Sequence, residues 1–286
     1  MMPFNRLDSL FPRPASLTQA CRVSKNPSQT GFLSITVLLL TLVPVHGAWS
    51  SDMIRFVTLE FAPFIYGRNQ QVAGPGKELI AAVCEEARIT CTYDIYPWRR
   101  AQELIKTGQA DGMMVIGRNA SREEWIRFSP PHFRTEYGFF VKSDDTMDFT
   151  DTSQLQGLRV GVFAPSNTAT QLMKIRGSMI DAGLVPLEIE QRPDDPSGFR
   201  KLSAGRISAV YSNRDRGRKI LEDEGLSQAV RYAGGHQGIL YYAGISKSFH
   251  DQALVDRFES AWNALFRRGV ARDIIESYGL EAAIVE

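Results

Sequence analysis

From Met53 onward the chain alternates short β-rich apolar runs with helical stretches, and further along it does so a second time. "MIRFVTLE", "CTYDIY" and "DGMMVIG" have the branched and aromatic content of strands, while "GKELIAAVCEEA" and "WRRAQELIKTG" carry apolar residues at helical spacing. Gly108 is placed to stop the second of these helices. An order of β-α-β-α-β restricts the fold to a mostly parallel sheet covered by helices. "LRVGVF", "SNTATQLMKIRG", "PLEIEQ", "PSGFRKLSAG" and "RISAVYSN" repeat that order, with Ser166 as the expected cap of the first helix and Gly177 as its expected end. A local echo supports the repeat: Ile105, Gly108 and Asp111 share their spacing with Leu202, Gly205 and Ser208.

Two α/β lobes of similar build are therefore expected, one from residues 52–141 with 243–286 and the other from 142–242. The last two helical runs set Val255, Phe258, Trp262, Leu265 and Phe266 on one face, which is ordinary core packing. "GILYYAGIS" is a strand-like run that leads back from the second lobe to the first. Strands tying two lobes suit a hinge.

The N-terminal segment sets the compartment. "GFLSITVLLLTLVPVHG" follows a basic stretch and ends with Val45 and Gly47 at the small-residue positions of a signal-peptidase site, so residues 1–47 are expected to be a cleaved signal peptide and the protein periplasmic. The unbroken apolar run from Ile35 to Val43 is short against the roughly 20 residues of a membrane span, and Pro44 and His46 interrupt it. The formal charge of +1 includes Arg6, Arg13, Arg22 and Lys25 against Asp8 in that segment, so the mature chain stands at about −2. Nucleic acid, which needs a concentrated positive surface, is not an expected partner.

Cys21 leaves with the signal peptide, and Cys84 and Cys91 remain. Such a pair in an exported chain reads either as a disulfide or as two buried thiols. The histidines are scattered, which gives no metal-ligand pattern, and His132 and His236 read as structural. "GPGKEL" lacks the third glycine of a dinucleotide fingerprint, and neither a phosphate loop nor a "GxSxG" nucleophile motif occurs. No cofactor is expected.

In open α/β sheets ligands sit beyond the carboxyl ends of the strands. Here those ends carry "LEFAPF", "YPWR", the run from Val115 to Arg122, "FAPSNT" and "YSNR", so both lobes would turn aromatics, hydroxyls, amides and arginine toward one cleft. Arg122, beside the start of a short helix, is suited to grip a carboxylate in a bidentate manner. The plainer reading is a surface ion pair with Glu123 or Glu124.

"ADGMMVIGRNASREEWIRFSPPHF" resembles a segment of the bacterial extracellular solute-binding proteins of family 3, the polar amino-acid receptors of ABC importers. "IRFVTLEFAPF", "LQGLRVGVFAPSNT" and "AGRISAV" are similar to other family segments, in consistent order from about Ile54 to Gly279. The resemblance implies an α/β, two-lobed periplasmic-binding-protein type II fold whose lobes are joined by two hinge strands. It also implies a monomer that captures a small carboxylate or amino-acid ligand without catalysis and delivers it to an ABC permease of the inner membrane. Cys84 and Cys91 match a bridge seen in some members.

Carried over residue by residue, the resemblance makes Arg122 the grip on the ligand carboxylate and Phe61 an aromatic that stacks on the ligand. Ser166, Asn167 and Thr168 fall in the loop and helix start that donate to the same carboxylate, and Trp98 sits in a "PWRRA" run found in a subset of the family. Asn213 falls where an aspartate receives the ligand ammonium, a departure that leaves that charge unbalanced; Glu60 or Asp215 could supply it. Asn213 could equally serve only as a helix cap, and Phe61, Phe64 and Trp98 only as core. "VIGRN" replaces a hydroxyl-rich loop, bringing Gly117 and Arg118 to the site. Arg118 and Arg122 together suggest two carboxylates, hence an acid or a modified amino acid. The alternatives are a cyclic-acid dehydratase on the same scaffold, with Glu60 as its acid or base, and a sensor that docks on a membrane receptor.

Overall fold

The computed structural model describes residues 52–283, so the expected signal peptide, residues 1–47, lies outside the described residues. The chain opens with β1 (Met53–Thr58), a hairpin of β2 (Tyr66–Arg68) and β3 (Gln71–Ala73), α1 (Pro75–Ala87), β4 (Thr90–Ile95), α2 (Trp98–Lys106) and β5 (Gly112–Gly117). The short α3 (Ala120–Glu123) and β6 (Ile126–Phe128) lead into β7 (Phe133–Lys142). Then come β8 (Arg159–Phe163), α4 (Asn167–Asp181), β9 (Glu188–Arg192), α5 (Asp195–Ser203), β10 (Ala209–Asn213) and α6 (Arg214–Asp223). The long β11 (Val230–Ser246), α7 (Gln252–Arg267), α8 (Val270–Ser277) and β12 (Glu281–Ala282) follow.

The main sheet runs β4-β1-β5-β11-β7-β10-β8-β9. Its two ends are parallel trios, β4-β1-β5 and β10-β8-β9, each with the helical crossovers that parallel pairing requires. Between them β11 and β7 pair antiparallel. Leu240 and Tyr241 of β11 still pair β7, while Tyr241 to Ile245 pair β5, so one strand serves both trios. The fold is thus two mostly parallel lobes joined by two long antiparallel strands.

Each trio is covered on both faces. Leu79 and Val83 of α1, Phe258 and Trp262 of α7 and Ile275 of α8 pack with Ile54 and Phe56 of β1. The opposite face takes Ala101, Leu104 and Ile105 of α2 against Val57, Met113 and Ile116. In the second lobe Leu172, Ile175 and Met179 of α4 pack on Val160, Val162 and Tyr211, while Phe199, Leu202, Ile220 and Leu221 of α5 and α6 cover Val210 and Phe140. Such three-layer packing hides strands that are apolar on both faces.

The sequence echo is a shared structural device. Gly108 and Gly205 both end their helices with left-handed φ values of 68° and 67°. Asp111 N then donates to Arg55 O, and Ser208 N to Arg159 O, delivering each chain onto the first strand of its trio. The expected stop at Gly177 is corrected: α4 continues to Asp181, and Gly183 with φ 71° follows it. An interior glycine costs about 1 kcal/mol, less than the roughly 1.5–3 kcal/mol gained by burying a side chain of the size of Met179. Cys84 and Cys91 are joined by a disulfide that ties the last turn of α1 to β4.

Candidate functional site

A cavity lies where the carboxyl ends of β1, β5, β8 and β10 converge. Leu59 and Phe61 follow β1, Gly117 ends β5, and Phe163 with Ser166, Asn167 and Thr168 follow β8. Asp195, Ser212 and Asn213 close it from the second lobe, and Trp98, Arg122, Tyr137 and Tyr241 complete its wall.

Arg122 is held from three directions. Asn119 caps α3, its Oδ1 accepting from Arg122 N at 2.9 Å, which sets the backbone. The guanidinium donates to Gly117 O at 2.6 Å and lies 5.1 Å above the Trp98 ring. The residue is only 7% exposed, and burial pulls its pKa down to about 10, which leaves it a cation at neutral pH. Among the described residues no carboxylate forms an ion pair with it; Glu123 pairs instead with Arg118. A buried cation without a counter-ion is costly unless a ligand supplies one.

The start of α4 stands in the same wall. Ser166 caps it, Oγ accepting from Ala169 N at 3.0 Å and sitting 2.6 Å from Thr168 Oγ1. The first amides of a helix have no intrahelical acceptor, and the helix dipole adds partial positive charge there. Asn167 Oδ1 accepts from Asn119 Nδ2 at 2.8 Å, joining the two sides of the cleft. Gly117 permits that approach, since a Cβ there would fall 2.6 Å from Asn167 Nδ2. Phe61 is stacked on Phe64 and edge-on to Tyr241, with one face turned to Arg216 at 5.8 Å.

Asn213 lines the cavity, yet its side chain is fully engaged. Oδ1 caps α6, accepting from Asp215 N at 3.0 Å and Arg216 N at 2.9 Å, while Nδ2 donates to Thr135 Oγ1 at 3.0 Å and Tyr241 Oη at 3.3 Å. Capping is therefore its role in the structure. No lone pair remains for a ligand ammonium.

Three expectations need correction. Glu60 does not line the cavity: its carboxylate accepts from Gly67 N at 2.8 Å and ties down the β2-β3 hairpin. Arg118 is likewise outside, exposed and paired with Glu123, so two arginines do not meet at one ligand. Asp215 is taken by Arg214 at 3.1 Å and by the Thr135 hydroxyl at 2.6 Å.

An acidic residue that sequence reasoning passed over, Asp195, lines the cavity. Its side chain is 11% exposed, with Oδ2 3.6 Å from Arg216 Nε and Oδ1 accepting from Ser212 Oγ at 3.4 Å. Burial pushes its carboxyl up, and Arg216 opposes that shift. A signal existed in "RPDDPSG": Asp194 caps α5 by accepting from Ser197 N at 2.7 Å, and a helix needs one such cap, which leaves Asp195 for another purpose. The cavity lining thus includes one basic residue, Arg122, and one acidic residue, Asp195, the latter facing Arg216.

Three comparisons bear on this arrangement. The putative ABC transporter arginine-binding protein 2 of Escherichia coli (strain K12) is 25% identical over 169 residues, 58% of this chain and 65% of that relative, so the chain spans less than two thirds of that relative's length. A histidine kinase sensor domain with similarity to periplasmic binding proteins superposes with a TM-score of 0.70 at 19% identity, over 81% of this chain and 98% of that one. An ancestral arginine-binding protein bound to arginine gives 0.67 at 19% identity, over 79% and 98%. At that identity the two solved structures share the fold. Among the described residues no helix is long and apolar enough to cross a membrane. Residues 54–281 match the model of one family over most of the chain, and the protein belongs to it: the bacterial extracellular solute-binding proteins, family 3.

Proposed function

We propose that this protein is a periplasmic receptor that closes two lobes around a small carboxylate-bearing solute, an amino acid or a close relative, and presents it to an ABC importer of the inner membrane. The observation that carries the reading is Arg122: a buried guanidinium, braced by Gly117 O and Trp98 and lacking a carboxylate partner among the described residues, in a wall shared with the start of α4. A bound carboxylate would receive charged hydrogen bonds from the first lobe and helix-terminal amides from the second. Affinity then depends on both lobes reaching the solute at once, which makes the solute the agent of closure. The E. coli relative, named as an arginine-binding protein, makes arginine one member of the panel to try. A catalytic reading through Glu60 loses support, because Glu60 is engaged with the hairpin outside the cavity.

The test is a thermal-shift panel of amino acids, dicarboxylates and cyclic acids on the purified protein, since a solute that binds only the folded state must raise its stability. A hit should weaken by about 30-fold to several thousand-fold in Arg122→Ala, with the fold retained. An unchanged dissociation constant in that variant would sink the assignment.

A further inference from the structure

We propose that the cavity takes a small organic anion carrying no cationic group, and that it discriminates against both the ammonium of an ordinary amino acid and a cationic side chain. This rests on the reading of the cavity as the solute site and narrows it, away from the arginine named for the E. coli relative.

The charge of the wall carries the inference. Arg122 is a buried cation with no carboxylate partner among the described residues. Asp195, the acidic residue of the same lining, does not offset it: Arg216 Nε stands 3.6 Å from its Oδ2, and Ser212 Oγ donates to its Oδ1 at 3.4 Å. Burial favours the neutral acid and Arg216 favours the carboxylate, yet neither form leaves a net negative charge, because the first has none and the second is matched by the guanidinium. The lining together with Arg216 is therefore net positive.

A cation entering this wall would also find its usual acceptors taken. Asn213 Oδ1 already accepts from Asp215 N and Arg216 N, and Gly117 O from Arg122 at 2.6 Å. Aromatic faces are the other means of holding an ammonium or a guanidinium. Here Trp98 has Arg122 over it at 5.1 Å, and Phe61 has Arg216 over it at 5.8 Å and is stacked on Phe64. Leu59, Val115 and Phe163 complete the wall and suit a hydrocarbon body. A desolvated cation without a partner is costly, and that cost is a means of rejection.

The surroundings have the same sign. The loop between Phe163 and Ser166 borders a second groove, lined by Arg99 and Arg192 and by no acidic residue. Arg192 does reach Glu190 at 2.5 Å, but Lys201 shares that carboxylate at 2.6 Å, so one anion serves two cations. A positive potential of this kind draws anions and disfavours cations.

The experiment is calorimetric titration of the purified protein with the common L-amino acids, each beside its α-deaminated acid. The expected result is binding of at least one deaminated acid, with the parent amino acid roughly 30-fold weaker or worse and L-arginine among the weakest. Two variants test the cause. Arg216→Gln leaves the Asp195 carboxylate unmatched, and Asn213→Asp adds a carboxylate that can still cap α6; each should move the preference toward the amino acid by roughly 10-fold or more. If either variant fails to fold, the other and the wild-type ratios decide. A wild-type protein that binds an amino acid as tightly as its deaminated acid, or more tightly, overturns this inference and leaves the receptor reading standing. So does a preference that neither folded variant shifts. A protein that binds neither series overturns both.

Discussion

Asn119 does two things with one amide: its oxygen caps the turn that carries Arg122, and its nitrogen donates across the cleft to Asn167 Oδ1 at 2.8 Å. The residue that sets the backbone of Arg122 is therefore also a tie between the lobes.

That tie can be cut without disturbing the cap. Asn167→Ala removes the acceptor together with a side chain of the cavity wall, and one hydrogen bond of this kind is worth about 0.5–1.5 kcal/mol, so solute affinity should fall by at least about 2- to 12-fold with thermal stability nearly unchanged. Gly117→Ala should do more, because its Cβ would press on Asn167 at 2.6 Å in the closed form. Titration measures the affinities, and small-angle scattering should find both variants more open than the wild type. Equal radii of gyration and equal affinities would remove this contact from any account of closure.

Arg122 should carry a stability cost that its function requires. Burial lowers its pKa from the ordinary arginine value to about 10, so the unfolded chain holds the proton more tightly than the native one does. Stability of the ligand-free protein therefore rises with pH above about 10 and carries the full cost at neutrality. Arg122→Met should raise ligand-free stability by about 1–3 kcal/mol while abolishing the response to solute. Denaturant unfolding with and without a solute hit measures both, and a destabilised Met variant would contradict the first half.

His132 predicts an acid limb. Its ring is wholly buried between Phe133 and Trp262, at 4.7 and 5.4 Å, and Nδ1 has no hydrogen-bond partner among the described residues. Burial pulls its pKa down to about 3, so as pH falls below about 6.5 the unfolded chain takes up a proton that the native ring refuses until pH 3. Between pH 7 and pH 5 this residue should remove about 2 kcal/mol of stability. His132→Phe should flatten that part of the profile in paired denaturations at the two pH values; identical slopes would place the acid sensitivity elsewhere.

The alternation of strands and helices was legible because it depends on local pattern, and so was the gathering of Phe61, Trp98, Gly117, Arg122, Ser166, Asn167 and Thr168 at strand ends. What that rule does not supply is direction. Leu59 and Phe61 line the cavity, and Glu60 between them turns away to the hairpin amide, as side chains in extended backbone alternate. Arg118 finds Glu123 five residues on, a local partner that spacing alone does not rank above a distant ligand. Asp195 was missed for the opposite reason. Its place in the wall comes from how α5 enters the lobe; its own stretch signals that one of two adjacent aspartates is spare, but not that the spare one faces the cavity.

The contacts that cross the cleft, Asn119 with Asn167 and Arg216 with Ala62 O, are made between protein groups alone. They couple the two sides of the cleft through groups of the chain itself. If a solute must break those contacts to enter, its association rate should level off at high concentration instead of climbing in proportion to it, because breaking them becomes the slow step.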